Sequence, residues 1–280
     1  MKTAVIDMGG GMRGIYAAGV LDRCMEEDIR FDVCIGVSAG SANLASYLSH
    51  QAGRNYVFYT QYAMRRRYMS LWNFLRKGSY IDLDYVYGTL SNDGGENPYD
   101  YTAMEQNAAS FLVVATNALT GEPKYFQKED MPRNRYDPLK ASCSIPFVNR
   151  PYTIGGVPYY DGALSDPIPV RKALSLGCER VVLILTRPRA FRRTARKDEF
   201  LARMIRKKYP VAAQKMAERA ALYNEQMDEA EELAKEGRLL FIAPQDTCGM
   251  DTLTRDKAAM DAFYRLGFAD GGAIGAFLRG

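Results

Sequence analysis

At 280 residues, 47% hydrophobic and 25% charged, the chain is long enough for one large α/β core and too apolar to be disordered. A formal net charge of +4 is too small to argue for nucleic-acid binding. Cys24, Cys34, Cys143, Cys178 and Cys248 are odd in number, widely spaced and without a CxxC pair, which argues against a disulfide framework and a zinc site and predicts reduced, buried thiols.

The first apolar β-type run covers 3–8, with no extended apolar h-region or cleavage site before it, and no later apolar run approaches the ~18 residues of a membrane span. A soluble, cytoplasmic protein is expected. Further β-type runs at 31–37, 111–116 and 180–186 alternate with helical periodicity at 15–27 and 39–49. That alternation predicts a three-layer α/β/α fold around a mainly parallel sheet. Two shorter strands are expected at 123–127 and 157–160, the second after the turn pair Gly155-Gly156, and a surface loop at 92–98. From 197 onward the pattern is mostly helical, with one strand at 238–243, so the expected organisation is a core over 1–186 and a mostly helical C-terminal region, 187–280, packed on it.

Three motifs carry chemistry. Gly36-Val37-Ser38-Ala39-Gly40 closes the second strand and opens a helix, and small residues two places either side of Ser38 permit a sharp turn that exposes its hydroxyl, a nucleophile elbow. His50, the sole histidine, lies twelve residues along that helix, about 18 Å away at about 1.5 Å per residue, and cannot be the base for Ser38. A carboxylate or a lysine is expected in its place. Gly9-Gly10-Gly11-Met12-Arg13-Gly14 joins the first strand to the first helix, and its backbone N–H groups can hold a phosphate or a tetrahedral oxyanion. The same spacing meets the dinucleotide fingerprint, but Asp32 stands at the beginning of the second strand rather than at its end, where a ribose ligand is wanted. Asp161-Gly162-Ala163 places a carboxylate at the end of a strand, where it can reach a serine at the same sheet edge, or else forms an ordinary Asp-Gly turn.

Other features stay open at this level. Arg13 either orients the glycine loop, meets a phosphate, or lies on the surface. The segment 56–72 combines aromatics, methionines and Arg65-Arg66-Arg67 in a helical reading; it suits a core helix with one charged turn, or a lid or interfacial lipid contact. The ten basic residues between Arg187 and Lys208 form either solvated helix faces or a patch for anionic lipid.

Taken in order, the glycine loop, the G-x-S-x-G elbow and the D-G-A triplet resemble the patatin-like phospholipases of bacterial type, and the stretch Ala141-Ser142-Cys143-Ser144-Ile145-Pro146-Phe147 looks like a further block of that family. The resemblance spans roughly 1–185. It implies Ser38 as nucleophile, Asp161 as proton acceptor in a Ser–Asp dyad, and an oxyanion hole from the backbone at Gly9, Gly10, Gly11 and Met12. Arg13, Gly14, Gly36, Gly40, Gly162 and Ala163 are then supporting motif positions. It further implies a lipid or small carboxylic ester as substrate, with no metal or cofactor; peripheral contact with an anionic membrane is a separate expectation from the basic stretch and the 56–72 segment. Two other functions compete: a patatin-fold binding or adaptor protein with little or no activity, and a nucleotide-binding protein using the 9–14 loop.

Overall fold

The computed structural model describes residues 1–279. In chain order the strands are β1 (Thr3–Asp7), β2 (Val33–Val37), β3 (Ser110–Asn117), β4 (Pro123–Gln127), β5 (Tyr152–Ile154), β6 (Val157–Asp161), β7 (Arg180–Ile184) and β8 (Leu239–Ile242). The helices are α1 (Ile15–Glu26), α2 (Ala39–Leu48), α3 (Arg54–Thr60), α4 (Leu71–Lys77), α5 (Tyr101–Gln106), α6 (Asp137–Ser142), α7 (Val170–Ser175), α8 (Ala195–Ile205), α9 (Pro210–Lys235), α10 (Lys257–Gly271) and α11 (Ile274–Arg279).

All eight strands form one sheet in the order β5-β6-β3-β2-β1-β7-β8, with β4 also paired to β3. β3, β2, β1, β7 and β8 run parallel to one another, while β4 pairs antiparallel with β3 on the side away from β2, and β6, itself antiparallel to β5, pairs antiparallel with 115–117 of β3 just beyond the end of the β2 ladder. The sheet is therefore mixed. β3–β4 and β5–β6 are hairpins separated by the α6 connection, and β5 and β6 are joined by Gly155-Gly156, both with positive φ, as the turn pair requires.

Strand residues alternate between two cores with period two. Val5, Cys34, Phe111, Val113, Ala115, Val182 and Ile184 face α1, α2 and α10, whereas Ala4, Ile6, Val33, Ile35, Leu112, Val114, Val181 and Leu183 face α7 and α9. Helices thus cover both faces, and the central strands are buried on both sides, which is why they read as continuous apolar runs.

The helical C-terminal region packs on this core and also completes it. β8 extends the sheet beyond β7, Tyr223, Met227, Ala230 and Leu233 of α9 seal one face, and Met260 and Phe263 of α10 enter the opposite core. α10 lies directly against α1: a Cβ on Gly19 would stand 2.1 Å from the Tyr264 carbonyl oxygen, and one on Gly267 would stand 2.0 Å from that of Tyr16.

The segment 56–72 is not one helix. α3 ends at Thr60, a short 3-10 turn covers Tyr62–Met64, and Arg65 turns extended. The chain then forms a bridge between Met69 and Ile81 before α4 starts at the Ser70 cap, whose Oγ accepts from the Asn73 N–H at 3.2 Å. Tertiary pairing with the 80–82 stretch overrides the helical periodicity there.

Because the added methyl has nowhere to go between α1 and α10, Gly267→Ala is expected to lower the free energy of unfolding by about 1–3 kcal/mol. Gly88→Ala, with nothing within 4 Å of the new carbon, should change it by less than about 0.5 kcal/mol. Urea titrations of the two variants and wild type make the comparison; a Gly267→Ala protein as stable as wild type would mean the helices do not touch at this point.

Candidate active site

Ser38 sits between the last residue of β2 and the first of α2 with φ 56° and ψ −133°, a conformation that costs a non-glycine residue about 1–3 kcal/mol. Its neighbours explain how the turn survives. A Cβ on Gly40 would stand 2.2 Å from the Asp7 carbonyl oxygen, and one on Gly36 would stand 2.3 Å from Cα of Ser41, so only glycine lets the elbow close on the turn after β1. The Ser38 N–H donates to Ser142 Oγ at 2.9 Å, and Ser142 in turn donates to the Val114 carbonyl at 2.6 Å. The strained residue is thereby tied to α6 and β3. The first turn of α2 lies immediately behind it, where the helix dipole favours negative charge.

The glycine loop is held from below by a network that the motif alone does not announce. Asp7, fully buried, accepts from the Gly9 N–H at 2.8 Å and from Asn43 Nδ2 at 2.9 Å; Asn43 also donates to the Gly14 carbonyl. Burial pushes the Asp7 carboxyl up to about 6 despite these donors. Thr186 Oγ1 donates to the Gly9 carbonyl at 2.6 Å, and the Met12 N–H donates to the Thr252 carbonyl at 2.9 Å. Two of the four expected oxyanion donors, Gly9 and Met12, are thus already engaged within the protein. Among the described residues the Gly10 and Gly11 N–H groups have no partner, and both residues line the cavity that contains Ser38. Gly10, at φ 132°, occupies backbone space open to glycine.

Asp161 reaches the serine by a route different from the one expected. It does not end a parallel strand; β6 runs antiparallel to β3, with Asp161 opposite Ala115, and so delivers the carboxylate back toward the C-terminal ends of β2 and β3. Its Oδ1 accepts from the Ala163 N–H at 2.9 Å, and its side chain faces the Ser38 hydroxyl. Gly162 is required here because a Cβ would press within 2.3 Å of the Val114 carbonyl oxygen. Burial raises the Asp161 carboxyl above the usual aspartate range, opposed by the Ser38 hydroxyl, the Ala163 N–H and the charges of Arg219 and Arg193.

Other expected residues fall as follows. Arg13 is buried rather than on the surface, and its guanidinium donates to Asp251 Oδ1 at 2.6 Å and to Thr252 Oγ1 at 3.2 Å. His50 is exposed beyond the end of α2. Asp32 accepts from the Thr3 N–H and hydroxyl at the N-terminal ends of β1 and β2, the opposite end of the sheet from the glycine loop. Cys24, Cys34, Cys143 and Cys178 are buried free thiols and Cys248 is half-buried; among the described residues no cluster of side chains could hold a metal ion.

Ser38 stands where two cavities meet. One is a narrow apolar slot walled by Met12, Ala42, Phe58, Tyr59, Met69, Leu83, Val86, Tyr87 and Ile145. The other is wider and mixed in character, bounded by the glycine loop, Pro146, Phe147, Leu201, Asp161 and a group of arginines. Asp7, Asn43 and Arg219 were not legible as site residues; Ser142 carried a signal only through the 141–147 block, Arg13 through the glycine loop, and Arg187 and Arg193 only as members of a basic stretch.

Comparison with known proteins identifies the family. A family model for patatin-like phospholipase matches residues 8–174. The chain belongs to the patatin-like phospholipase family. A second model, for a domain of unknown function, DUF6363, matches residues 209–274. The curated relatives of this patatin-like chain include the uncharacterized protein YjjU of Escherichia coli, 32% identical over 189 residues that make up 67% of this chain and 52% of YjjU. They also include the lysophospholipase NTE1 of Candida albicans, 23% identical over 63% of this chain and 12% of that protein. The chain thus spans about half the length of the first relative and a small part of the second. Among solved structures, VipD from Legionella pneumophila aligns with 98% of this chain and 66% of its own at a TM-score of 0.50 and 14% identity, a likeness of fold.

Proposed function

We propose that this patatin-like protein is a serine acyl hydrolase that cleaves lipid carboxylic esters. The observation that carries the reading is the juxtaposition of a strained, cavity-facing Ser38 with the buried Asp161 carboxylate, at the mouth of an apolar slot of a kind that accepts an acyl chain. The one histidine is exposed beyond the end of α2, the helix that leads away from Ser38, so Asp161 is the base at hand.

In the proposed reaction Asp161 takes the Ser38 proton as the oxygen attacks the ester carbonyl. The N–H groups of Gly10 and Gly11 receive the developing oxyanion, and the α2 dipole adds to them. Collapse expels the alcohol, which takes the proton from Asp161, and leaves an acyl-Ser38 ester. Asp161 then accepts a proton from water, hydroxide equivalent adds to the acyl carbonyl, and the fatty acid leaves as Ser38 recovers its proton. A raised carboxyl pKa suits this role, since it makes the carboxylate a stronger base.

The surroundings of the site support contact with a lipid surface. Among the described helices none is long and apolar enough to cross a membrane. Yet α4 exposes Leu71, Trp72, Phe74 and Leu75, next to the exposed Arg66, Arg67, Arg76 and Lys77. This helix is tied to the cavity rim: the Tyr80 N–H donates to the Val148 carbonyl, and Arg255 donates to the Met69 carbonyl. Leu253 and Leu201 line the same cavity, and Phe200 and Met204 of α8 are exposed beside Leu201. Apolar side chains flanked by cations match the interfacial zone of an anionic bilayer. The side chain of Lys197, within the basic stretch, lies outside the described residues.

A fluorophosphonate probe should label wild type at Ser38 alone, and Ser38→Ala should lose about 10³-fold or more of ester turnover. Asp161→Asn should label and turn over almost as poorly. A well-folded wild type that resists the probe and hydrolyses no lipid ester would favour the binding or adaptor reading. Since the ionised Asp161 is the active form and its folded pKa lies above the ordinary 3.8, kcat/KM should rise with pH through a single limb centred above that value; a limb at or below it would remove Asp161 from the base role. For membrane contact, Trp72→Ala combined with Leu75→Ala should weaken co-flotation with anionic vesicles about tenfold or more, and unchanged flotation would rule α4 out as the contact.

A further inference from the structure

The wider cavity beside Ser38 is lined by four guanidinium groups, Arg13, Arg187, Arg193 and Arg219, against three carboxylates, Asp161, Asp198 and Asp251. The pairing among them is uneven. Arg219 is held by both Asp198 oxygens and Arg13 by Asp251 at 2.6 Å, but Arg187 lies 3.7 Å from Asp251 and Arg193 lies 4.0 Å from Asp198. Nε of Arg13, Arg187 and Arg193 is buried with no hydrogen-bond partner among the described residues. Arg13, almost fully buried, is the extreme case.

Arg187 and Arg193 are positioned by aromatic rings and backbone clamps more than by carboxylates. The Arg187 guanidinium stacks 4.4 Å from the Phe191 ring centroid and that of Arg193 lies 5.2 Å from Tyr223. Asn224 fixes the Arg193 backbone from both sides, accepting from its N–H at 2.8 Å and donating to its carbonyl at 3.1 Å. Stacked, preset guanidiniums with unused donors are the arrangement that recognises phosphate oxygens. Burial and the neighbouring Arg187 charge lower Arg13 to about 10, and burial and Arg219 lower Arg193 to about 10, so the cluster carries a repulsion that a bound anion would relieve.

We propose that Arg187 and Arg193, with Arg13 beneath them, form a subsite for the phosphate of a lipid head group, and that the C-terminal region is what builds it. That region supplies Tyr223 and Asn224 of α9, which hold Arg193, and Asp251 and Thr252, which hold Arg13. The inference rests on the ester-hydrolase reading, because it assigns the slot to the acyl chain and this cavity to the rest of the same molecule.

The test compares a lysophosphatidate with the monoacylglycerol of the same acyl chain. Wild type should prefer the phosphate-bearing ester by at least tenfold in kcat/KM, and Arg187→Gln and Arg193→Gln, with melting temperatures near wild type, should each shrink that ratio severalfold or more, chiefly through KM. Arg193→Lys should recover part of it. A ratio that neither glutamine variant changes would overturn the subsite while leaving the hydrolase reading in place. Titration calorimetry with glycerol 3-phosphate, which does not depend on turnover, separates the two: binding to wild type that the double Gln variant lacks supports the subsite even if no ester is cleaved, and absence of binding to wild type overturns it. Inorganic phosphate binding as tightly as glycerol 3-phosphate, without any ester preference, would mark a free-phosphate site and overturn the lipid assignment.

Discussion

The closest approach in the molecule that matters for chemistry is between two βα turns. The turn after β1 and the turn after β2 touch backbone to backbone, with Gly40 against the Asp7 carbonyl and Gly9 against that of Val37. The first turn provides unpartnered N–H groups, the second provides a hydroxyl, and no side chain fits between them. The buried Asp7 carboxylate and Asn43 amide fasten one turn to the other, so the strain stored at Ser38 is balanced by hydrogen bonds several residues away. Loss of either glycine would separate groups whose use depends on their proximity.

Around that contact the sheet changes character. Its parallel half brings strand ends and helix N-termini to one edge, as any doubly wound sheet does. β6, antiparallel to β3 and just beyond the end of β2, runs back toward the same edge and turns Asp161 toward Ser38. A serine and a carboxylate 123 positions apart in the sequence are thus held in facing positions by strands of opposite sense, with α6 bracing the elbow through Ser142. Burial raises the basicity of Asp161.

The C-terminal region adds a third layer of control. It extends the sheet through β8 and presses α10 onto α1, while α9 and the 251–252 turn wall the wider cavity. Ser38 is open to an apolar slot on one side and to a group of arginines on the other. Exposed apolar residues of α4 and α8 flank the cavity rim.

The sequence by itself determined the strands β1, β2, β3, β4, β6, β7 and β8 and the helices α1 and α2, the elbow at Ser38, the glycine loop and the Asp161 turn, because each is a contiguous run whose residue types answer to local backbone geometry: glycine where φ is positive or a backbone passes close, continuous apolar runs where both faces are covered. It placed Ser38 and Asp161 in one hypothesis through their order along the chain. Only the tertiary structure decided that Asp161 arrives on an antiparallel strand, that Gly9 and Met12 spend their N–H groups inside the protein while Gly10 and Gly11 do not, that 56–72 breaks into separate pieces, and that Arg13 is buried with Arg187 and Arg193 around one cavity. Those outcomes turn on pairings between residues up to about 240 positions apart, such as Arg13 with Asp251, and a charge or an N–H group carries no local mark of the partner that folding will bring to it.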